Sequence, residues 1–295
     1  MNTAMREVEF ALPHGIRLAC RASGPIDAPL LVFLHGFPQG AFIWDELLQH
    51  FGARFHCIAP NLRGYAASSS PPETEAYRAK HLVADVAALI EAAGAPAEAV
   101  IAHDWGGALA WGLAIGSPHL LRRLVVLNAP HPGPFLRDLQ DHPAQQAASA
   151  YMNFFCRPDA EALLAQDDYA RMWPLLTRMG GGAWLDDAAR ACHRAVWSGG
   201  LTGPLNYYRA SPLRPPTPSD PAARAIRFEH DHITVQVPTT VIWGEADTAL
   251  LPNLLDGLGA WVPRLELVRV AEASHWILHE QPLRVRQEIE AALAR

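Results

Sequence analysis

Asp104, Asp247 and His275 are of types that together can run a displacement reaction, and each stands just past an apolar run of strand type. A carboxylate needs no base to be a nucleophile at neutral pH. Its attack on an acyl group would give an anhydride, a poor resting point. Attack on a saturated carbon with a good leaving group gives a stable alkyl ester that water can later cleave. Asp104 therefore points to epoxides or alkyl halides rather than to ordinary esters or peptides. His275 would take a proton from water, while Asp247 would hold its ring and stabilise the imidazolium. Taken singly, each residue has a plainer use: Asp104 or Asp247 as a helix cap, His275 as one of fourteen histidines with no role. Their order and their common place at strand ends favour the catalytic reading.

Such groups need sharp turns at the ends of neighbouring strands. Residues 98–111 read as a strand (Val100, Ile101), a very tight turn, and a helix with Ala, Leu and Trp at helical spacing. Ala102 and Gly106 lack the bulk that would block the turn. This is the shape of the nucleophile elbow of α/β-hydrolases, with aspartate at the tip where serine is usual. Leu30–Leu34 is a continuous apolar run, as expected of a strand buried on both faces of a parallel sheet. It ends in His35-Gly36-Phe37-Pro38, a loop that can bring the Phe37 N–H beside the nucleophile. The Trp105 N–H would complete an oxyanion site. Loops at the carboxyl ends of parallel strands converge on one face, so residues far apart in sequence can meet there.

Strand and helix signals alternate along most of the chain. Residues 8–12 and 16–22 flank Pro13-His14-Gly15 as a hairpin at a sheet edge; 55–60, 124–127, 239–243 and 265–270 read as further strands. Residues 77–93 and 283–294 read as amphipathic helices. From 133 to 221 strand signals stop and helical pieces rich in Ala, Leu and Trp take over, with the Pro-rich 212–221 returning the chain to the core. The predicted architecture is an α/β-hydrolase fold, a mostly parallel sheet with helices on both faces. Its core, 1–132 and 222–295, is split by an inserted helical lid, 133–221. Lids over a catalytic face exclude water and shape the pocket.

Over nearly its whole length the chain resembles the epoxide hydrolases of the α/β-hydrolase superfamily. The resemblance rests on His35-Gly36-Phe37-Pro38, Asn61-Leu62-Arg63-Gly64-Tyr65, His103-Asp104-Trp105-Gly106-Gly107, Gly203-Pro204-Leu205-Asn206-Tyr207-Tyr208-Arg209, Trp243-Gly244-Glu245-Ala246-Asp247 and Ser274-His275-Trp276. It implies conversion of epoxides to vicinal diols through a covalent ester on Asp104, with no cofactor. It also implies two lid tyrosines that donate hydrogen bonds to the epoxide oxygen. Tyr208 matches by its Asn-x-Tyr-Arg context, and Tyr151 by standing seven residues before Pro158; Tyr207 is one register step from Tyr208. Ring opening puts negative charge on oxygen, so a buried O–H aimed there acts most strongly in the transition state. Packing of the lid is the plainer use of either ring. Two positions depart from the pattern. Asn61 stands where the loop often begins with Asp. Asn128 stands where some dehalogenases keep their acid, which leaves that role to Asp247, with Glu245 as runner-up.

Haloalkane and haloacetate dehalogenases share the first and third stretches and supply the rival expectation. Trp105 could donate to a leaving halide, but Phe37 replaces an Asn that is frequent after the His-Gly pair. Trp105 and Ala108 stand where a haloacetate enzyme should offer arginines. A non-catalytic binding module on the same fold is a third reading, against which the three residues together argue. The 295 residues, half of them hydrophobic and 18% charged, suit one α/β domain with an insertion. A net charge of −6 without a basic stripe disfavours nucleic acid as a partner. No apolar run approaches the roughly 18 residues of a membrane span. Residues 1–15 lack a signal-peptide core, so a cytoplasmic location is expected. The scattered Cys20, Cys57, Cys156 and Cys192 form neither a disulfide frame nor a zinc site. Glu229-His230-Asp231-His232 reads as solvated linker rather than as a metal site. The expected partner is a small-molecule epoxide, met by a monomer or homodimer in an aromatic-rich, greasy pocket.

Overall fold

The structure, a computed structural model, describes residues 4–94, 96–178 and 182–295; residues 1–3 of the opening stretch and 179–181 of the expected lid lie outside the described residues. Eight strands form one sheet in the order β1-β2-β4-β3-β5-β6-β7-β8. β1 (Arg6–Ala11) and β2 (Arg17–Ser23) are the edge hairpin, and β2 runs antiparallel to β4 (His56–Pro60). From β4 through β3 (Leu30–Leu34), β5 (Ala99–His103), β6 (Leu124–Leu127), β7 (Thr239–Gly244) and β8 (Leu265–Val270) every pairing is parallel.

Alternate residues of each inner strand serve opposite faces, as the two-residue repeat of a strand requires. Val32, Leu34, Val100, Ala102 and Val126 join one core with α2 (Ala79–Ala93) and α3 (Trp105–Gly116). Leu31, Phe33, Ala99, Ile101 and Val125 join the other, with α1 (Asp45–Phe51) and the last helix. Coverage on both faces explains why β3 and β6 are unbroken apolar runs and why β4, β5 and β7 carry polar residues only at their ends. Strand bounds differ from the sequence reading by one or two residues, β1 being Arg6–Ala11 rather than 8–12 and β2 Arg17–Ser23 rather than 16–22. Tyr77 lies in a 3-10 turn, and α2 begins two residues later at Ala79. The turn and helix spanning 41–51 went unread, because the segment opens as a 3-10 turn before α1.

Between β6 and β7 the described residues form helices and turns: α4 (Pro132–Asp141), α5 (Pro143–Ala148), α6 (Ala150–Phe155), α7 (Ala160–Tyr169), α8 (Trp173–Arg178), α9 (Asp187–Trp197) and α10 (Thr202–Ala210). The short α11 (Leu258–Trp261) and α12 (Ile277–Glu280) and the closing α13 (Pro282–Ala294) follow in the second part of the core. Specific bonds tie the helical segment to the loops at the carboxyl ends of the strands. The Trp197 indole donates to the Pro38 carbonyl at 2.7 Å, and the Tyr207 hydroxyl to the Arg63 carbonyl at 2.9 Å. The Gln39 amide reaches His193 at 3.3 Å and His279 at 2.8 Å. Burial lowers both imidazoles, His193 to about 4 and His279 to about 3, so each presents a neutral acceptor nitrogen.

Candidate active site

Asp104 follows β5 directly and precedes α3, with φ of 51° and ψ of −123°. A non-glycine residue in that region costs on the order of 1–3 kcal/mol and persists only where its surroundings hold it. Glycines make the holding possible. A Cβ on Gly106 would stand 2.3 Å from the Leu34 carbonyl oxygen, and one on Gly36 would stand 2.2 Å from Oδ1 of Asp104. The carboxylate makes no capping bond into α3. Its Oδ1 instead accepts from the Phe37 N–H at 2.7 Å. The Phe37–Pro38 peptide is cis. His35 braces this loop: its Nδ1 donates to the Gly36 carbonyl at 3.1 Å, and its Nε2 accepts from the Leu62 N–H at 3.0 Å. Arg63 reaches no part of the site, for its guanidinium is paired with the buried Asp85 at 2.6 Å and 2.8 Å.

His275 lies beyond β8, with Nε2 3.7 Å from Oδ2 of Asp104 and Nδ1 2.8 Å from Oδ2 of Asp247. Its carbonyl accepts from His103 at 2.8 Å. Asp247 is 2% exposed, and its other oxygen accepts from the N–H groups of Ala249 and Leu250 at 2.8 Å and 2.9 Å. Glu245, the runner-up, turns away to Arg269 at 2.7 Å. Burial opposes the charged imidazole of His275. The charge and hydrogen bond of Asp247, helped by Asp104, outweigh that, and the net pKa lies above the ordinary 6.5. Burial raises Asp104 above the ordinary 3.8, against the pull of His275 and of the Trp105 and Phe37 N–H groups.

Tyr151 of α6 and Tyr208 of α10 meet over this carboxylate, with ring centroids 6.2 Å apart. Tyr208 packs edge-on against Phe37 at 5.3 Å and Trp105 at 5.2 Å. Burial, then the Asp104 charge, push both phenols above their ordinary pKa. Tyr207 has its hydroxyl committed to Arg63, so it is Tyr208 that stands over Asp104. Two cavities open from the carboxylate, and both are lined by Asp104, Tyr151 and Tyr208. One is an apolar arm of about 360 Å³; the other is a recess of about 10 Å³ beside His275.

A family profile described as the alpha/beta hydrolase fold matches residues 29–282. The chain belongs to that family. Within it, this hydrolase is 30% identical to Epoxide hydrolase 4 of Mus musculus over 91% of its own length and 74% of the relative's. It is 35% identical to the AB hydrolase superfamily protein YfhM of Bacillus subtilis (strain 168), over 95% and 96% of the two chains. Among solved structures, the epoxide hydrolase of Bacillus megaterium bound to an inhibitor superposes with a TM-score of 0.88 at 29% identity, covering 98% of this chain and 100% of that one. An epoxide hydrolase from metagenomes of hot environments also superposes at 0.88, with 36% identity and coverage of 98% and 99%. These relatives place the hydrolase on the epoxide hydrolase branch.

Sequence reasoning missed one supporting residue of this hydrolase. Asn128, at the end of β6, was set aside as unable to act as an acid. In the structure its Nδ2 donates to Oδ2 of Asp247 at 2.8 Å, and its Oδ1 accepts from the Gly244 N–H at 2.8 Å. The clue was a short polar side chain at a strand end beside the one that carries the acid. Asn61 serves the loops, accepting from the Ala41 N–H at 2.9 Å. His230, in the 229–232 cluster, stacks on Trp261 at 4.3 Å. Among the described residues no helix is long and apolar enough to cross a membrane.

Proposed function

We propose that this hydrolase converts epoxides to vicinal diols through an alkyl ester on Asp104, with residues 133–221 acting as the lid. One observation carries the reading: a carboxylate and two phenols are the groups common to both arms of the buried cavity, so a substrate lying there meets a nucleophile on one side and two O–H donors on the other. The relatives named epoxide hydrolases support it. Against the dehalogenase alternative, Phe37 stands where a halide-donating Asn is frequent, and its backbone N–H is already taken by Asp104.

In the first step Oδ2 of Asp104 attacks a ring carbon from behind. The carbon–oxygen bond breaks, and the epoxide oxygen takes a proton from a phenol of the Tyr151–Tyr208 pair. Both phenols titrate high, so they hold their protons until charge appears on that oxygen. In the second step His275 Nε2 removes a proton from water, whose oxygen attacks Cγ of the ester. Oδ1 already lies on the Phe37 N–H, so the oxyanion forms where its donors wait. Collapse releases the diol oxygen, which takes the imidazolium proton; the second water proton restores the phenol as Asp104 ionises again. No cofactor enters. Incubating the enzyme with styrene oxide and, separately, with 1-bromobutane tests the assignment. Diol from the first and no bromide from the second is expected; bromide without diol would reverse it.

A further inference from the structure

The two arms that meet at Asp104 are very unequal. The wide one, about 360 Å³, runs past Trp105, Leu109, Phe135, Met152 and Leu213, and among its described lining residues only Asp104 carries charge. The narrow one, about 10 Å³, is closed by Phe37, Phe155, Leu175 and Trp276, with His275 on its wall. About 10–15 Å³ is what a single water molecule needs. The walls of the narrow arm are set by packing. Phe37, Phe155 and Trp276 are buried, and the two phenylalanine rings lie 4.9 Å apart.

From this asymmetry we infer that the substrates are terminal epoxides bearing an apolar substituent on one ring carbon, and that epoxides substituted on both ring carbons are rejected. The inference rests on the epoxide hydrolase reading. A ring held with its oxygen between Tyr151 and Tyr208 and a carbon on Asp104 points its two carbons into opposite arms. The carbon in the wide arm can carry an aryl or alkyl group. The carbon facing the narrow arm meets a recess of single-water size. A methyl group there would press on Leu175 and Phe155, and it would also occupy the recess beside His275 from which water can attack the ester. Both the alkylation and the hydrolysis therefore select against it. Leu175, on α8, is the specificity-determining residue: it is the half-buried member of the closing set, packed against the core from its edge, so its truncation widens the narrow arm at the least cost to the core.

Styrene oxide and trans-β-methylstyrene oxide, which differ by one methyl on the second ring carbon, form the test pair. The methyl should lower kcat/KM by about 10–200-fold, the range one methylene commands in a shaped apolar pocket. Leu175→Ala should narrow that ratio by roughly tenfold, the lower end of the same range. Leu175→Val, a smaller change, should move it in the same direction and guards against misfolding of the first variant. Similar kcat/KM for the two substrates in the wild-type enzyme overturns the inference and leaves epoxide hydrolysis standing. A ratio that neither variant narrows overturns the role of Leu175 and with it the proposed orientation. Turnover of neither epoxide overturns the underlying function instead.

Discussion

Replacing Asn128 by alanine probes the least conspicuous part of the site. The side chain joins the ends of β6 and β7, and its removal deletes the 2.8 Å bond to Asp247 Oδ2 and the 2.8 Å acceptor for the Gly244 N–H. It leaves a backbone donor unpaired inside a fully buried strand. It also takes one donor from a buried carboxylate that keeps those of Ala249, Leu250 and His275. A buried unsatisfied group costs about 1–3 kcal/mol, and more when charged. Asn128 also sits at φ of 38°, where asparagine is tolerated better than alanine by roughly 1 kcal/mol. The unpaired Gly244 N–H and the backbone conformation together cost about 2–4 kcal/mol, a large part of the stability of an ordinary domain. Urea denaturation at neutral pH measures it directly. The variant carries a second signature. With a donor gone, the Asp247 charge is less well satisfied and pulls harder on the imidazolium, so the His275 pKa should rise and the acid limb of kcat should move to higher pH. A loss below about 0.5 kcal/mol, the range of an ordinary surface substitution, together with an unmoved pH limb, would refute the view that Asn128 braces the acid.

Tyr208→Phe combined with Tyr151→Phe should depress epoxide turnover by about 10²–10³ for each donor lost while circular dichroism stays native, since each phenol is asked to act as an oxyanion donor does. Gly36→Ala should abolish turnover, because the new Cβ would stand 2.2 Å from Oδ1 of Asp104; a diol assay on the folded variant reads the outcome. His275→Gln should stall at the ester, so the intact protein should gain the mass of one epoxide, as seen by mass spectrometry. The pH profile has a definite sign. His275 must be neutral to take a proton, and its pKa lies above 6.5, so kcat should fall as pH drops through a limb placed above 6.5. The raised phenols add no alkaline limb at the ordinary tyrosine value of 10.0, and one found there would contradict their burial.

The fold was legible because a sheet covered on both faces writes itself as unbroken apolar runs, and because each carboxyl-end loop starts with small or turn-forming residues. Gly36, Gly106 and Gly244 announce close approach: a Cβ on them would meet Asp104, Leu34 and Ser274 at 2.2 Å, 2.3 Å and 2.3 Å, so nothing larger fits. The meeting of Asp104, Asp247 and His275 could be anticipated from topology, since each follows a strand of one parallel sheet. What periodicity does not carry is pairing between side chains far apart in the chain. Asn128 with Asp247, and Gln39 with His193 and His279, are contacts across more than a hundred residues that no local pattern records. Tyr208 could be placed by its neighbours, whereas the choice between it and Tyr207 needed the hydroxyl of Tyr207 to be seen on Arg63. The unequal arms of the cavity were hidden for the same reason. Leu175 and Phe155 look like any lid residues until α6 and α8 are folded over the site.

The central claim is that Asp104 itself becomes covalently attached to the substrate. A single turnover in oxygen-18 water, with enzyme in excess over styrene oxide, tests it most directly. Unlabelled diol and one labelled oxygen in the Asp104 carboxylate are expected, read by mass spectrometry of the peptide that contains it. Labelled diol from that first turnover, with an unlabelled Asp104, would mean that water attacks the epoxide directly.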